Sequence, residues 1–293
     1  MVILARISCS IRMWRGVAFT GSTEAAKSIN QSLAAKDGPI VPLIAETGGQ
    51  NCMIVDSSAL PEQVIDDVIT SAFGSAGQRC SALRILYIQD KVADKMLRML
   101  RGAMAELVVG DPALISTDIG PVIDDQALSV LRSHRAHLEG FGKLISEVEL
   151  DPHIKTTGHF FAPCAFEIDN IHGLQREVFG PVLHVIRYDA EKIRDVMEDI
   201  NSTGYGLTCG VHSRLDSFQD AVARQISAGN IYINRSMIGA VVGTQPFGGR
   251  GLSGTGPKAG GPHYLQRFAH EKVVSINTTA AGGNASLMVL EDV

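Results

Sequence analysis

The chain has 293 residues, 45% of them hydrophobic, and a formal net charge of −5. The length allows one large or two modest domains, and the mild acidity leaves no electrostatic footprint for nucleic acid or an anionic membrane. No apolar run reaches the roughly 18 to 20 residues of a membrane span, and the scattered cysteines (Cys9, Cys52, Cys80, Cys164 and Cys209) read as reduced thiols of a cytoplasmic protein, not as a disulfide framework or a metal site.

Residues 1–15 stand apart. Their apolar start is broken by Arg6, then Arg12 and Arg15, and is too short for a secretion signal. A mitochondrial presequence is one reading of that charge; a truncated or shifted start is the preferred one. The pattern then predicts a short buried strand over 17–20, running through Gly21-Ser22-Thr23 into a helix over 24–36. Ser22 or Thr23 would cap that helix, with Glu24 favourable in its first turn. A strand that runs through Gly-Ser into a helix N-terminus is either an anion site or an ordinary capped turn.

A strand over 40–45 leads to Glu46, and Cys52-Met53-Ile54-Val55 is another. Val64, Ile65, Val68, Ile69 and Ala72 recur at helical spacing, with Pro61 suited to the first turn. The small-residue run Gly74-Ser75-Ala76-Gly77 follows, then Gln78-Arg79-Cys80-Ser81. The stretch over 44–86 is the centre of the chain: a carboxylate, Glu46, delivered next to a nucleophilic thiol, Cys80. Thiol chemistry needs a thiolate or a base close enough to make one. Glu46 could serve as that base or activate a water later.

Beyond it the pattern predicts a strand over 84–89, a helix over 91–107, a loop over 110–121 and a helix over 124–140. His134 and His137 on that last helix have no carboxylate or cysteine at metal-ligand spacing and read as solvated. Strands are expected over 160–168, 182–188, 208–212, 230–233 and 271–277, with helices over 190–201 and 216–227. Alternating strands and helices argue for an α/β architecture with largely parallel sheets. The glycine-rich stretch over 246–263 can offer backbone N–H groups to an anion, or be a flexible surface loop. Phe268 could be a core residue. Residues 278–293 read as a small-residue tail.

Glu46-Thr47-Gly48-Gly49-Gln50-Asn51 followed by Gly77-Gln78-Arg79-Cys80 resembles the two active-site signatures of aldehyde dehydrogenases, at the family's usual separation. Phe19-Thr20-Gly21-Ser22, Glu177-Val178-Phe179-Gly180-Pro181 and Pro246-Phe247-Gly248-Gly249 agree, and the resemblance runs over about 16–283. Gly-Leu-Ser-Gly-Thr followed by Lys-Ala-Gly-Gly-Pro is similar to the 1-pyrroline-5-carboxylate (glutamate semialdehyde) dehydrogenase branch, including the C-terminal domain of bifunctional PutA proteins.

The resemblance implies a partial Rossmann-type NAD-binding domain plus an α/β catalytic domain. Residues 16–50 would be the remnant of the first and 51–250 the second. Residues 251–293 would hold a substrate-anchor loop, a strand for homo-oligomerisation and the tail. Cys80 would be the nucleophile, with its own backbone N–H on the oxyanion, and Glu46 the base. Gly21 and Ser22 would lie by the NAD pyrophosphate, Glu177 on the nicotinamide ribose, and Phe179 beside the nicotinamide. Ser81, Gly260 and Gly261 would hold the carboxylate of a small-molecule aldehyde, and Phe268 its aliphatic part. The sequence departs from the family before Gly16, where the first nucleotide-domain strands, the adenosine-ribose residues and a Trp-Asn-Phe-Pro-like motif are expected. The asparagine there is a second oxyanion donor, and losing one such donor costs about 10²–10³ in rate. The expectation is therefore a catalytic unit that binds NAD poorly alone. An inactive fragment and a non-redox thiol esterase are the alternatives.

Overall fold

The segments at 52–55, 85–89, 182–188 and 208–212 are mostly apolar without a polar alternation, the mark of strands covered on both faces. They build the centre of a seven-stranded sheet. The computed structural model describes residues 15–277 apart from residue 242; the segment before residue 15 and the tail after 277 lie outside the described residues.

The elements are β1 (Val17–Thr20), α1 (Thr23–Ala34), β2 (Leu43–Glu46), β3 (Cys52–Val55), α2 (Pro61–Phe73), β4 (Ile85–Gln89), α3 (Asp90–Ala105), α4 (Asp125–Leu138), β5 (Lys143–Glu147), β6 (Cys164–Glu167), β7 (Val182–Tyr188), α5 (Ile193–Ser202), β8 (Thr208–His212), α6 (Asp216–Gln225) and β9 (Asn230–Ile233). β1 and β2 pair in parallel as a two-stranded sheet. The large sheet runs β5-β6-β7-β4-β3-β8-β9, with β5 alone antiparallel. This is the expected α/β architecture. Among the described residues no helix is long and apolar enough to cross a membrane.

Local signals explain most boundaries. Ser22 caps α1, its side chain accepting from the Ala25 N–H, and Asp124 caps α4 through Ala127. Pro61 occupies the first turn of α2. The core gathers on β3, β4 and β7 with α2 and α3 packed against them, and Met53, Ile54, Phe73, Leu86 and Leu100 are fully buried within it.

Four expectations change. The strand expected over 40–45 begins only at Leu43, and Ile40 is fully exposed. The strand expected over 160–168 contracts to Cys164–Glu167, because Pro163 has no N–H for the ladder. Residues 271–277 form no strand within the chain: among the described residues no sheet edge pairs with them, and Val273, Val274 and Ile276 are exposed. His134 is not solvated. α4 packs toward β7, and the His134 Nε2 meets the buried His184 Nε2 at 2.8 Å. His184 Nδ1 donates to the Arg84 carbonyl at 2.8 Å, so its Nε2 is bare and takes the His134 proton. Burial pushes the two down to about 4 and about 3, so the pair is neutral.

Candidate active site

Parallel strands bring their amino ends to one edge, and on this edge the motifs singled out in the sequence meet. Asn51 precedes β3, Arg84 precedes β4, Gly180-Pro181 precede β7 and Thr208 opens β8. Asn51 is the post that ties them. Its buried Nδ2 donates to the Cys80 carbonyl at 2.6 Å and the Ala82 carbonyl at 3.0 Å, while its Oδ1 accepts from the Thr208 N–H at 3.2 Å. Asn51→Ala would leave three buried polar groups unpaired, and it is expected to cost about 3 kcal/mol in urea unfolding.

The Cys80 turn is unusual in its backbone. Ser75, Ala76 and Gly77 all have positive φ, at 56°, 53° and 64°. Two non-glycine residues in the left-handed region store strain of about 1–2 kcal/mol each. That bend turns the chain out of α2 and presents Cys80 half-buried beside the exposed Arg79. Gln78 pins the turn from outside, its Oε1 accepting from the Ile123 N–H and its Nε2 donating to the Pro121 carbonyl. Burial pushes the Cys80 thiol up, and the negative charges of Glu177 and Glu46 add to that. The backbone N–H groups of Ser81 and Cys80 oppose the shift by pointing at the sulfur. The resting group is therefore a thiol that needs a base.

Glu46 ends β2 inside a glycine shell. Its Oε2 accepts from the Gly249 N–H at 2.8 Å, and its Oε1 is buried without a partner. A Cβ on Gly248 would stand 2.6 Å from Oε1, and one on Gly254 3.0 Å from both oxygens. Glycine at these places is what leaves room for the carboxylate. Burial raises the Glu46 pKa to about 7, against the opposing pull of the Gly249 N–H and the Lys258 charge. A carboxylate at that value shuttles protons at neutral pH.

Glu177 faces the thiol from the other side. Its Oε1 is 3.1 Å from Arg84 Nη2, and a Cβ on Gly48 would lie 1.5 Å from its Oε2. Phe179 is 43% exposed, an open aromatic face beside the site. The turn at the start of α1 also reaches the site: the Gly21 N–H donates to the Glu46 carbonyl at 3.1 Å. A thiol, a carboxylate titrating near neutrality and an exposed aromatic wall suit thiol addition to a carbonyl followed by hydrolysis. The sequence pattern of the aldehyde dehydrogenase family matches residues 9–274.

The chain belongs to the aldehyde dehydrogenase family.

That match begins inside the segment 1–15 that the sequence set apart. The family acts on aldehydes and typically uses NAD(P). The chain is 51% identical over 283 residues to the bifunctional protein PutA of Salmonella typhimurium, covering 94% of this chain and 21% of that protein. It is 38% identical over 267 residues to the 1-pyrroline-5-carboxylate dehydrogenase of a Geobacillus species, covering 89% of this chain and 51% of that protein. A crystal structure of a bifunctional proline utilization A (PutA) protein superposes with a TM-score of 0.88 at 58% identity, over 94% of this chain and 28% of that one. The chain thus spans about a fifth of the length of the PutA relatives it matches.

In this aldehyde dehydrogenase frame the remaining residues fall as follows. Ser81 is buried next to Cys80, its carbonyl accepting from Thr208 Oγ1. The glycine-rich stretch is tied down, not free. Phe247 and Ala259 exchange backbone hydrogen bonds, Thr47 N–H donates to the Ser253 carbonyl, and Thr255 N–H to that of Ala45. Lys258 Nζ caps the Gly229 carbonyl and Asn230 Oδ1. Gly260 sits exposed at φ 71°, a backbone left-handed and open, whereas the Gly261 N–H already donates to Lys258 O at 3.1 Å. Phe268 lies against Gly16, with Tyr264 edge-on at 6.4 Å. Sequence reasoning missed Asn51, Lys258 and Arg84 as parts of the site. A lone arginine opening a fully apolar strand was the available signal for Arg84.

Proposed function

We propose that the chain carries the catalytic unit for NAD-dependent oxidation of L-glutamate γ-semialdehyde, the open form of 1-pyrroline-5-carboxylate, to L-glutamate in proline degradation. The observation that carries this is Glu46, raised by burial to a pKa of about 7 and close enough to the half-buried Cys80 for its charge to push the thiol up. Identity to the PutA and 1-pyrroline-5-carboxylate dehydrogenase proteins supports the substrate.

Cys80 gives up its thiol proton to solvent water and its Sγ adds to the aldehyde carbon, giving a tetrahedral adduct whose oxyanion the Cys80 N–H stabilises. A bound NAD, held by Glu177 and Phe179, would supply the hydride acceptor for this carbon. The product is a thioester on Cys80. Glu46 takes a proton from water, the resulting hydroxide attacks the acyl carbon, and the thiolate leaves. Ser81, Gly260 and Gly261 hold the far carboxylate, with Phe268 along the aliphatic stem. The cofactor fits the residues on the other side. Gly48 leaves a cradle in which Glu177 sits, suited to a ribose, and the open Phe179 face suits a nicotinamide ring. Gly21 and Ser22 stand at the amino end of α1 for the pyrophosphate, though the Gly21 N–H serves Glu46.

One observation favours a second reading, a chain that does not hold NAD alone: among the described residues the sheet on the nucleotide side has two strands. Calorimetry separates them. Micromolar NAD binding, lost in Glu177→Ala, would support the proposal against the poor binding expected from the sequence; no heat from NAD would leave the second reading.

A further inference from the structure

Arg84 is buried to 2% exposure at a place where a charge is costly, and nothing in the proposed chemistry uses it. Its surroundings explain its retention. Nη1 donates to the Gly77 carbonyl at 2.7 Å and the Gly180 carbonyl at 3.1 Å. Nη2 donates to the Arg79 carbonyl at 3.1 Å and to Glu177 Oε1 at 3.1 Å. Its Cζ stands 5.1 Å from the centre of the Phe179 ring. One planar fork thus touches the turn that carries Cys80 and the strip that carries Glu177 and Phe179.

The two segments are pressed together where the fork lies. Gly77 is left-handed, and a Cβ there would stand 2.2 Å from the Gly180 oxygen. Their carbonyls converge on one nitrogen of the fork, a donor the two segments share. The Arg84 backbone is fixed as well: its N–H donates to Asn51 O at 3.0 Å, and its carbonyl accepts from the His184 N–H at 2.9 Å and from His184 Nδ1.

We infer that Arg84 is the positioning residue of the site: its guanidinium clamps the Cys80 turn to the Glu177–Phe179 strip and fixes the Glu177 carboxylate in place. A lysine cannot reproduce this, because an ammonium lacks the fork that bridges four acceptors. The consequence for cofactor grip rests on the proposed function; the effect on Glu177 does not.

The test is thermal unfolding of the full chain from about pH 5 to about pH 9, for native protein, Arg84→Met, Glu177→Gln and the double variant. Burial already raises the Glu177 pKa, and Arg84 opposes that. Without Arg84 the folded state should retain the carboxyl proton to still higher pH, while the unfolded chain releases it near the ordinary value. Stability is then lost as pH rises. The melting deficit of Arg84→Met should therefore grow from pH 5 to pH 9 and become flat with pH when Glu177→Gln is added. Failure of Arg84→Met to fold at high pH, with recovery near pH 5 or in the double variant, is the same result. An equal deficit at every pH, with or without Glu177, would overturn the inference, as would misfolding of every Arg84→Met protein at every pH. A calorimetric arm addresses the grip: Arg84→Lys should bind NAD at least about tenfold more weakly than native, the size of a lost charged hydrogen bond. Equal affinity would overturn the clamp. Absence of NAD binding by the native chain would overturn the proposed function instead, with the pH series still deciding Arg84.

Discussion

Alanine at position 80 is expected to abolish aldehyde oxidation while leaving the fold in place. The proposed chemistry is covalent, and among the described residues no other thiol can replace Cys80: Cys52, Cys164 and Cys209 are buried in the sheet with their thiols pushed up by burial. Cys80 itself is half-buried on a turn, and its place is held by its carbonyl through Asn51, not by its side chain. The Cys80→Ala protein should therefore melt within a few degrees of native, roughly the shift of 1 kcal/mol. Turnover should fall below detection. Substantial residual turnover would remove Cys80 from the mechanism.

Glu46→Gln is expected to separate the two halves of the reaction. The amide keeps the shape and can still face the Gly249 N–H, but it cannot take a proton from water. The acyl-enzyme should accumulate on Cys80, visible as a mass increase of one acyl group, and its hydrolysis should slow by about 10²–10⁴-fold. In native protein hydrolysis should rise with pH through about 7, as Glu46 ionises; the variant should lose that limb. Stability moves the opposite way. Burial raises the folded-state pKa of Glu46 above its unfolded value of 4.5, so its contribution is present below that value and is lost as pH rises through about 7. Glu46→Gln should thus gain on native protein in melting temperature above pH 7.

The central strands were legible because a strand covered on both faces has no polar alternation: Cys52–Val55 and Thr208–His212 appear at their expected bounds. β5 was not, since Lys143–Glu147 is a partly exposed edge with two charges in five residues. Residues 271–277 have strand composition, but a strand is a pairing, and composition cannot supply the partner. His134 was misread because a helical wheel does not say which strand a helix covers. The glycine-rich stretch left two readings open, because its rigidity comes from hydrogen bonds to β2 and β9, far away in sequence. Arg84 was hidden for the same reason: its importance lies in carbonyls at 77, 79 and 180 that only the fold brings together.

The most direct test of the account is NADH formation from glutamate semialdehyde by the native chain, Cys80→Ala and Glu46→Gln side by side. The account requires sustained NADH production by the native chain, none by Cys80→Ala, and from Glu46→Gln a single burst equal to the number of Cys80 sites. NADH production that continues in Cys80→Ala, or undiminished steady turnover in Glu46→Gln, would contradict it.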